Sequence, residues 1–163
     1  MLVTTPGQGT LHIRCAADTA ELRHVRSAIR SWLKSQGLPV GEWALVATEL
    51  MCNAIAATTG GQIEIEMRVS PDNRRIDCSV TNQGTWDLQT TEQAAAIESL
   101  VDRSGRSADI LPSGRGLRMI RALTSGGEVF VRDGRTTVAV WLDLTDCDRS
   151  PATACNSSAG ACG

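Results

Sequence analysis

No run of about 18 consecutive apolar residues occurs in this sequence, so nothing in it reads as a membrane-spanning helix. The opening MLVTTPGQGT also lacks the basic region and apolar core of a secretory signal. A cytoplasmic protein with no membrane partner is expected. Charge of one sign is missing as well: 16 Lys and Arg stand against 18 Asp and Glu, a formal net charge of −2. That balance gives no electrostatic footprint for nucleic acid, which leaves proteins and small molecules as the expected partners. Metal-type cysteine spacing is absent too. Of the six cysteines, Cys15, Cys52 and Cys78 fall in apolar-patterned segments and read as small core residues of a reduced compartment. Cys147, Cys155 and Cys162 fall in a Ser/Ala/Gly-rich tail, residues 146–163, which has almost nothing to bury and is expected to be disordered. No internal repeat is present.

What is present suffices for one domain: 163 residues, 42% of them apolar. Residues 1–10 read as a flexible N-terminus and 11–145 as the folded domain. Leu11 to Cys15 reads as a short strand. Asp18 to Ser35 follows as an amphipathic helix, with Leu22, Val25, Ile29, Trp32 and Leu33 on one side, an N-cap at Asp18 and a stop at Gly37. A second helix, about Gly41 to Thr58, ends at Gly60 and Gly61. Ile63, Ile65, Met67 and Val69 then alternate with polar residues, a strand with one wet face, and Ile76, Cys78 and Val80 continue the alternation after an SPDNR turn. A helix from Leu117 to Leu123 is read as ending at Gly126 and Gly127. Val129 to Arg132 and Thr136 to Leu144 form a hairpin across Asp133 and Gly134. The expected architecture is an α/β (α+β) two-layer sandwich, its sheet mixed and mostly antiparallel, with helices on one face.

The second helix holds the most informative residues. Its sequence, WALVATELMCNAIAA, is apolar nearly all round, and its only polar side chains are Thr48, Glu49 and Asn53. A carboxylate there is costly unless it is paired, hydrogen-bonded or bound to a cation, and four-residue spacing puts the Asn53 amide one turn away on the same face. The pair reads either as a site or as the wet edge of the helix. Two glycine segments follow, Val80-Thr81-Asn82-Gln83-Gly84 at a strand end and Ser113-Gly114-Arg115-Gly116-Leu117 opening a helix. Glycines at a helix N-terminus admit a phosphate chain to the backbone N–H groups, and Arg115 is placed to meet phosphate oxygens. The plainer reading of the second segment is a loop-to-helix turn.

Taken in order, these segments resemble the GHKL ATPase superfamily. ATELMCNAI, VTNQG, SGRGLRMI and GRTTVAVWLDL are most similar to its compact branch of anti-sigma-factor serine kinases, over about Leu11 to Leu144. The resemblance implies a histidine-kinase-like ATPase fold, with Glu49 as base and Asn53 as the Mg²⁺ ligand. It implies a nucleotide lined by Asn82, Gly84, Gly114, Arg115, Gly116 and Leu117, with Thr136 or Thr137 near the adenine and residues 85–113 as the ATP lid. Where this family has an Asp that accepts from the adenine amino group, the chain has Asn82, whose amide oxygen also accepts. Where a further Gly is common it has Trp86. No histidine-bearing dimerisation helix precedes the segment, so a complete sensor histidine kinase is not expected.

The implied activity is ATP-dependent phosphorylation of a serine on a small antagonist (anti-anti-sigma) protein by a cytoplasmic regulator that also binds a sigma factor. A homodimer is a further expectation of the resemblance. The alternative is a protein-binding module of the same fold that has lost useful phosphotransfer. Arg23, Arg26 and Arg30 form one stripe on the first helix and are the candidate partner contacts, or else a solvated face. His12 and His24 are read as structural.

Overall fold

The computed structural model describes residues 3–7, 9–58, 60–84 and 115–144, with the backbone alone at 3–7 and 115–118. Its strands are β1 (Val3–Gly7), β2 (Thr10–Ala16), β3 (Gln62–Val69), β4 (Arg75–Gln83), β5 (Gly126–Arg132) and β6 (Arg135–Asp143). Its helices are α1 (Leu22–Ser35), α2 (Gly41–Ala56) and α3 (Arg115–Leu123). The six strands form one sheet in the order β1-β2-β3-β4-β6-β5, and every described pair is antiparallel.

Period-two alternation decides which side chains meet the helices. Leu11, Ile13 and Cys15 on β2 continue across the sheet into Ile63, Ile65 and Met67, then Ile76, Cys78 and Val80, then Val138 and Val140, and all are buried. Val25, Ile29, Trp32 and Leu33 of α1 and Trp43, Val46, Ala47, Leu50, Met51 and Ala54 of α2 close this core, joined by Ile120 of α3. Full burial of each larger aliphatic side chain contributes about 1.5–3 kcal/mol, so the helix layer is fixed by its apolar stripes rather than by propensity. The opposite face is polar. There Glu64 pairs with Arg14 at 2.9 Å and Arg135 at 2.8 Å, and Glu66 with Arg68 at 2.8 Å.

Local chemistry sets the element ends. The Asp18 carboxylate accepts from the Ala20 N–H at 2.9 Å and opens a 3₁₀ turn, Thr19–Glu21, ahead of α1. Gly37, at φ 68°, ends α1 as a Schellman motif: Leu38 N–H donates to the Leu33 carbonyl at 3.0 Å and Gly37 N–H to the Lys34 carbonyl at 3.1 Å. Asp133 and Gly134, at φ 52° and 72°, form the two-residue turn of the β5–β6 hairpin.

Three expectations need correction. The stretch read as a flexible N-terminus contains β1, an edge strand whose Val-Thr-Thr suits pairing but lacks the apolar alternation that would announce it. Gly126 and Gly127 do not end a helix; they begin β5. At Gly126 a Cβ would lie 2.5 Å from the Trp141 ring, so the glycine is there to let that indole lie over the strand. Cys52 is not a core residue, being only half-buried on α2, whereas Cys15 and Cys78 are buried. Residues 85–113 and the tail from 146 onward lie outside the described residues.

Candidate functional site

Apart from Gly41 at its start and the half-buried Ile55 near its end, helix α2 is buried except along one stripe. Glu42, Leu45, Glu49, Cys52, Asn53 and Ala56 lie along it, partly or wholly exposed, at the three- and four-residue steps that mark one helix face. Glu49 and Asn53 are thus half-buried at the open edge of an apolar helix. Among the described residues neither side chain has a hydrogen-bond partner or an ion pair. The Asn53 Nδ2 is fully withdrawn from solvent without a partner. Leaving such a donor unmade costs about 1–3 kcal/mol, and the Nε1 atoms of Trp32 and Trp43 and the Nε of Arg135 are left in the same condition.

One turn further on, the end of α2 meets the end of β4. Gly84 has φ 135°, and a Cβ there would stand 2.9 Å from the Ala57 carbonyl oxygen, so only glycine lets the strand end approach the helix end. Its N–H donates to the Gly134 carbonyl at 3.0 Å, and its carbonyl accepts from the Thr136 hydroxyl at 2.9 Å. The Thr58 hydroxyl donates to the adjoining Gln83 carbonyl. Two turns and one helix end therefore fix the backbone of the first glycine segment.

Asn82 is 1% exposed and lies on the helix-facing side of β4, in register with Ile63 on one side and Thr136 on the other. Its Nδ2 lies 3.4 Å from the Gln83 carbonyl, so the amide nitrogen is turned to its own strand and the oxygen is left to accept. Thr136 is wholly buried beside it. Thr137, offered by the sequence as its equal, is turned to the other face of the sheet, where its hydroxyl meets that of Thr81 at 2.8 Å. Strand parity removes Thr137 from the site. Arg115, Gly116 and Leu117 form the first turn of α3, which packs against α2; Gly114 lies outside the described residues.

The arginine stripe is exposed at Arg23, Arg26 and Arg30, but its members are not alike. The Arg26 Nε donates to the Thr48 hydroxyl of α2 at 3.3 Å, and that hydroxyl donates in turn to the Ala44 carbonyl at 2.5 Å. Arg23 and Arg30 form no ion pair among the described residues. In the sequence Thr48 is one of the few polar side chains of α2 and carries no expected role; a hydroxyl inside an apolar helix is the available signal. Beside this contact the Cys52 thiol is pushed up from its ordinary value by burial and by the Glu49 carboxylate, and Arg26 acts against both. His12 lies 3.7 Å from Glu66 and His24 3.6 Å from Glu21, both away from the α2 stripe.

No cluster of three or more metal-ligating His, Cys, Asp or Glu side chains occurs among the described residues. The donor set suits instead a hard cation taking one protein oxygen and completing its shell with phosphate and water. Among the described residues no helix is long and apolar enough to cross a membrane.

No curated protein matches the chain by sequence. By structure, the RsbU and RsbW domains of Rv1364c from Mycobacterium tuberculosis match it at a TM-score of 0.58 and 21% identity, over 86% of this chain and 33% of that one. This chain thus spans about a third of the length of that protein, with which it shares a fold. The family profile described as the histidine kinase-like ATPase domain matches residues 15–142, and that domain's ligand is ATP. Extending over most of the chain, that match establishes that this protein belongs to the histidine kinase-like ATPase family.

Proposed function

We propose that this domain binds ATP with Mg²⁺ and transfers the γ-phosphoryl group to a serine of a small antagonist protein, within a cytoplasmic switch that also engages a sigma factor. The observation that carries this reading is the pair Glu49 and Asn53, one helical turn apart, both without a hydrogen-bond partner or ion pair among the described residues and one of them with a buried orphan amide nitrogen. The buried strand-end residues Asn82 and Thr136 and the glycine-only approach at Gly84 lie where α2 ends. In this reading Asn82 accepts from the adenine amino group and the first turn of α3 meets the phosphates, as a helix N-terminus favours anions. The Asn53 carbonyl oxygen would hold Mg²⁺, which when bound neutralises charge on the phosphates. Glu49 takes the proton of the serine hydroxyl as its oxygen bonds to phosphorus and ADP departs. Residues 85–113 serve as the lid, and the domain works as a homodimer.

Calorimetric titration with ATP-Mg, followed by transfer of labelled phosphate to the antagonist, tests the assignment. Asn53→Ala is expected to weaken Mg-dependent binding, and Glu49→Ala to spare binding while abolishing transfer. No heat at millimolar ATP would overturn the reading; equal loss of binding in both variants would overturn the separate roles. Asn82 in place of a carboxylate favours one second reading, a partner-binding module that retains the nucleotide without useful transfer.

A further inference from the structure

Among the described residues the buried polar side chains are Thr48, Asn82 and Thr136. The two hydroxyls are well served: Thr48 donates to the Ala44 carbonyl at 2.5 Å and Thr136 to the Gly84 carbonyl at 2.9 Å. Asn82 differs. Its Nδ2 comes no nearer than 3.4 Å to the Gln83 carbonyl, beyond the roughly 2.7–3.2 Å of an ordinary N–H···O bond, and that carbonyl already accepts from the Thr58 hydroxyl. No described donor holds the Asn82 oxygen. The missing side chain of Gly84, whose Cβ would stand 3.5 Å from Nδ2, also puts no wall against the amide. A half-turn of the amide exchanges oxygen and NH₂, groups of nearly equal size, and forfeits only that long contact.

An amide that can face either way suits two kinds of base. A 6-aminopurine presents a donor, its amino group, beside an acceptor, ring nitrogen 1; the amide oxygen takes the first and the amide N–H the second. A 6-oxopurine presents the reverse order, an oxo oxygen beside a ring N–H, and the amide meets it with the same two bonds after a half-turn. A carboxylate has acceptors only. Opposite an oxo oxygen it would stand unrelieved in a buried place, and that repulsion is what confines a site to adenine. In register with Asn82 are Ile63, which is apolar, and Thr136, whose hydrogen goes to Gly84, so the choice of base falls to the amide. We infer that Asn82 widens the base selectivity of this site, which admits 6-oxopurine nucleoside triphosphates alongside ATP. The inference rests on the nucleotide site proposed above and adds a ligand class to it.

Calorimetric titration of the full chain with ATP, GTP and ITP, each with Mg²⁺, tests it. The two amide orientations make equal bonds to the base and differ by the long contact to Gln83, worth no more than one ordinary hydrogen bond. GTP or ITP is therefore expected to bind the wild type within about tenfold of ATP. ITP carries the same oxo edge as GTP without the 2-amino group, so binding at that level by either nucleotide supports the inference. In Asn82→Asp the preference for ATP over both should grow by at least about tenfold, because the carboxylate keeps the amino group's partner and loses the oxo oxygen's. A wild type in which GTP and ITP both fall further than tenfold below ATP overturns the inference, as does an unchanged preference in a folded Asn82→Asp. A circular-dichroism melt shows whether that variant folds; if it does not, the wild-type ratios decide. Binding of ATP with neither 6-oxopurine nucleotide within that range refutes the widened selectivity and leaves the proposed function standing, whereas a wild type that binds none of the three refutes both.

Discussion

Replacing Gly84 by Ala tests whether the meeting of β4 and α2 is as tight as it looks. The added Cβ would stand 2.9 Å from the Ala57 carbonyl oxygen, a backbone atom that cannot swing aside, at a φ of 135° that side chains rarely adopt. The backbone strain costs about 1–3 kcal/mol and the overpacking about as much again, giving roughly 2–6 kcal/mol. Gly134→Ala is the control. That residue also has a positive φ, 72°, but nothing lies within 4 Å of its Cβ position, so only the left-handed penalty of about 1–2 kcal/mol applies. At about 2–4 °C per kcal/mol, Gly84→Ala should lower Tm by about 5–20 °C in a circular-dichroism melt, well beyond the control. Relief of the clash would pull Gly84 from the Gly134 carbonyl and the Thr136 hydroxyl, so ATP affinity should fall further than stability alone explains. A Tm loss no larger than that of Gly134→Ala would refute the close approach.

Asn82→Asp should tighten ATP binding by about 1 kcal/mol in calorimetry, since a carboxylate accepts more strongly than an amide, while a charge at a site 1% exposed lowers the stability of the nucleotide-free protein. Unchanged or weaker affinity would remove Asn82 as the adenine acceptor. Stability should also fall in alkali. Burial pushes the Cys78 thiol up to about 12 from an ordinary 9, so the native state keeps a proton that the unfolded chain releases. That stabilisation is complete below pH 9 and is lost as pH rises toward 12, with a slope of about 1.4 kcal/mol per pH unit from this group. Urea unfolding at pH 8 and 10 should show the slope in the wild type and a shallower one in Cys78→Ala.

The sheet was readable wherever one face is wet. Ile63 to Val69 and Ile76 to Val80 carry the alternation in their own residues, and Asp133-Gly134 names its own turn. Unreadable features belonged to distant pairs. β1 is held by the backbone of β2, the glycine at 126 answers to the indole of Trp141, and Arg26 finds Thr48 only once α1 and α2 pack together. Glu49 and Asn53 stood out because polar groups in an apolar helix need a reason. The choice between Thr136 and Thr137 waited on the strand register, which the sequence does not state.

The paired charges on the open sheet face also govern how the molecule is met from afar. Glu64 lies between Arg14 and Arg135, Glu66 faces both His12 and Arg68, and Arg75 meets Asp77 at 2.6 Å while its guanidinium lies 4.6 Å from the Trp141 ring. Exposed pairs of this kind add little to stability, about 0–1 kcal/mol each, but opposite charges a few ångströms apart cancel within a Debye length of about 8–10 Å. Beyond that distance these four arginines and three carboxylates leave a residue of one positive charge, so the sheet face is nearly quiet. The arginines of α1, which form no ion pair among the described residues, are then the stronger source of field, and it is the encounter rate of an acidic molecule with the helix layer that added salt would diminish.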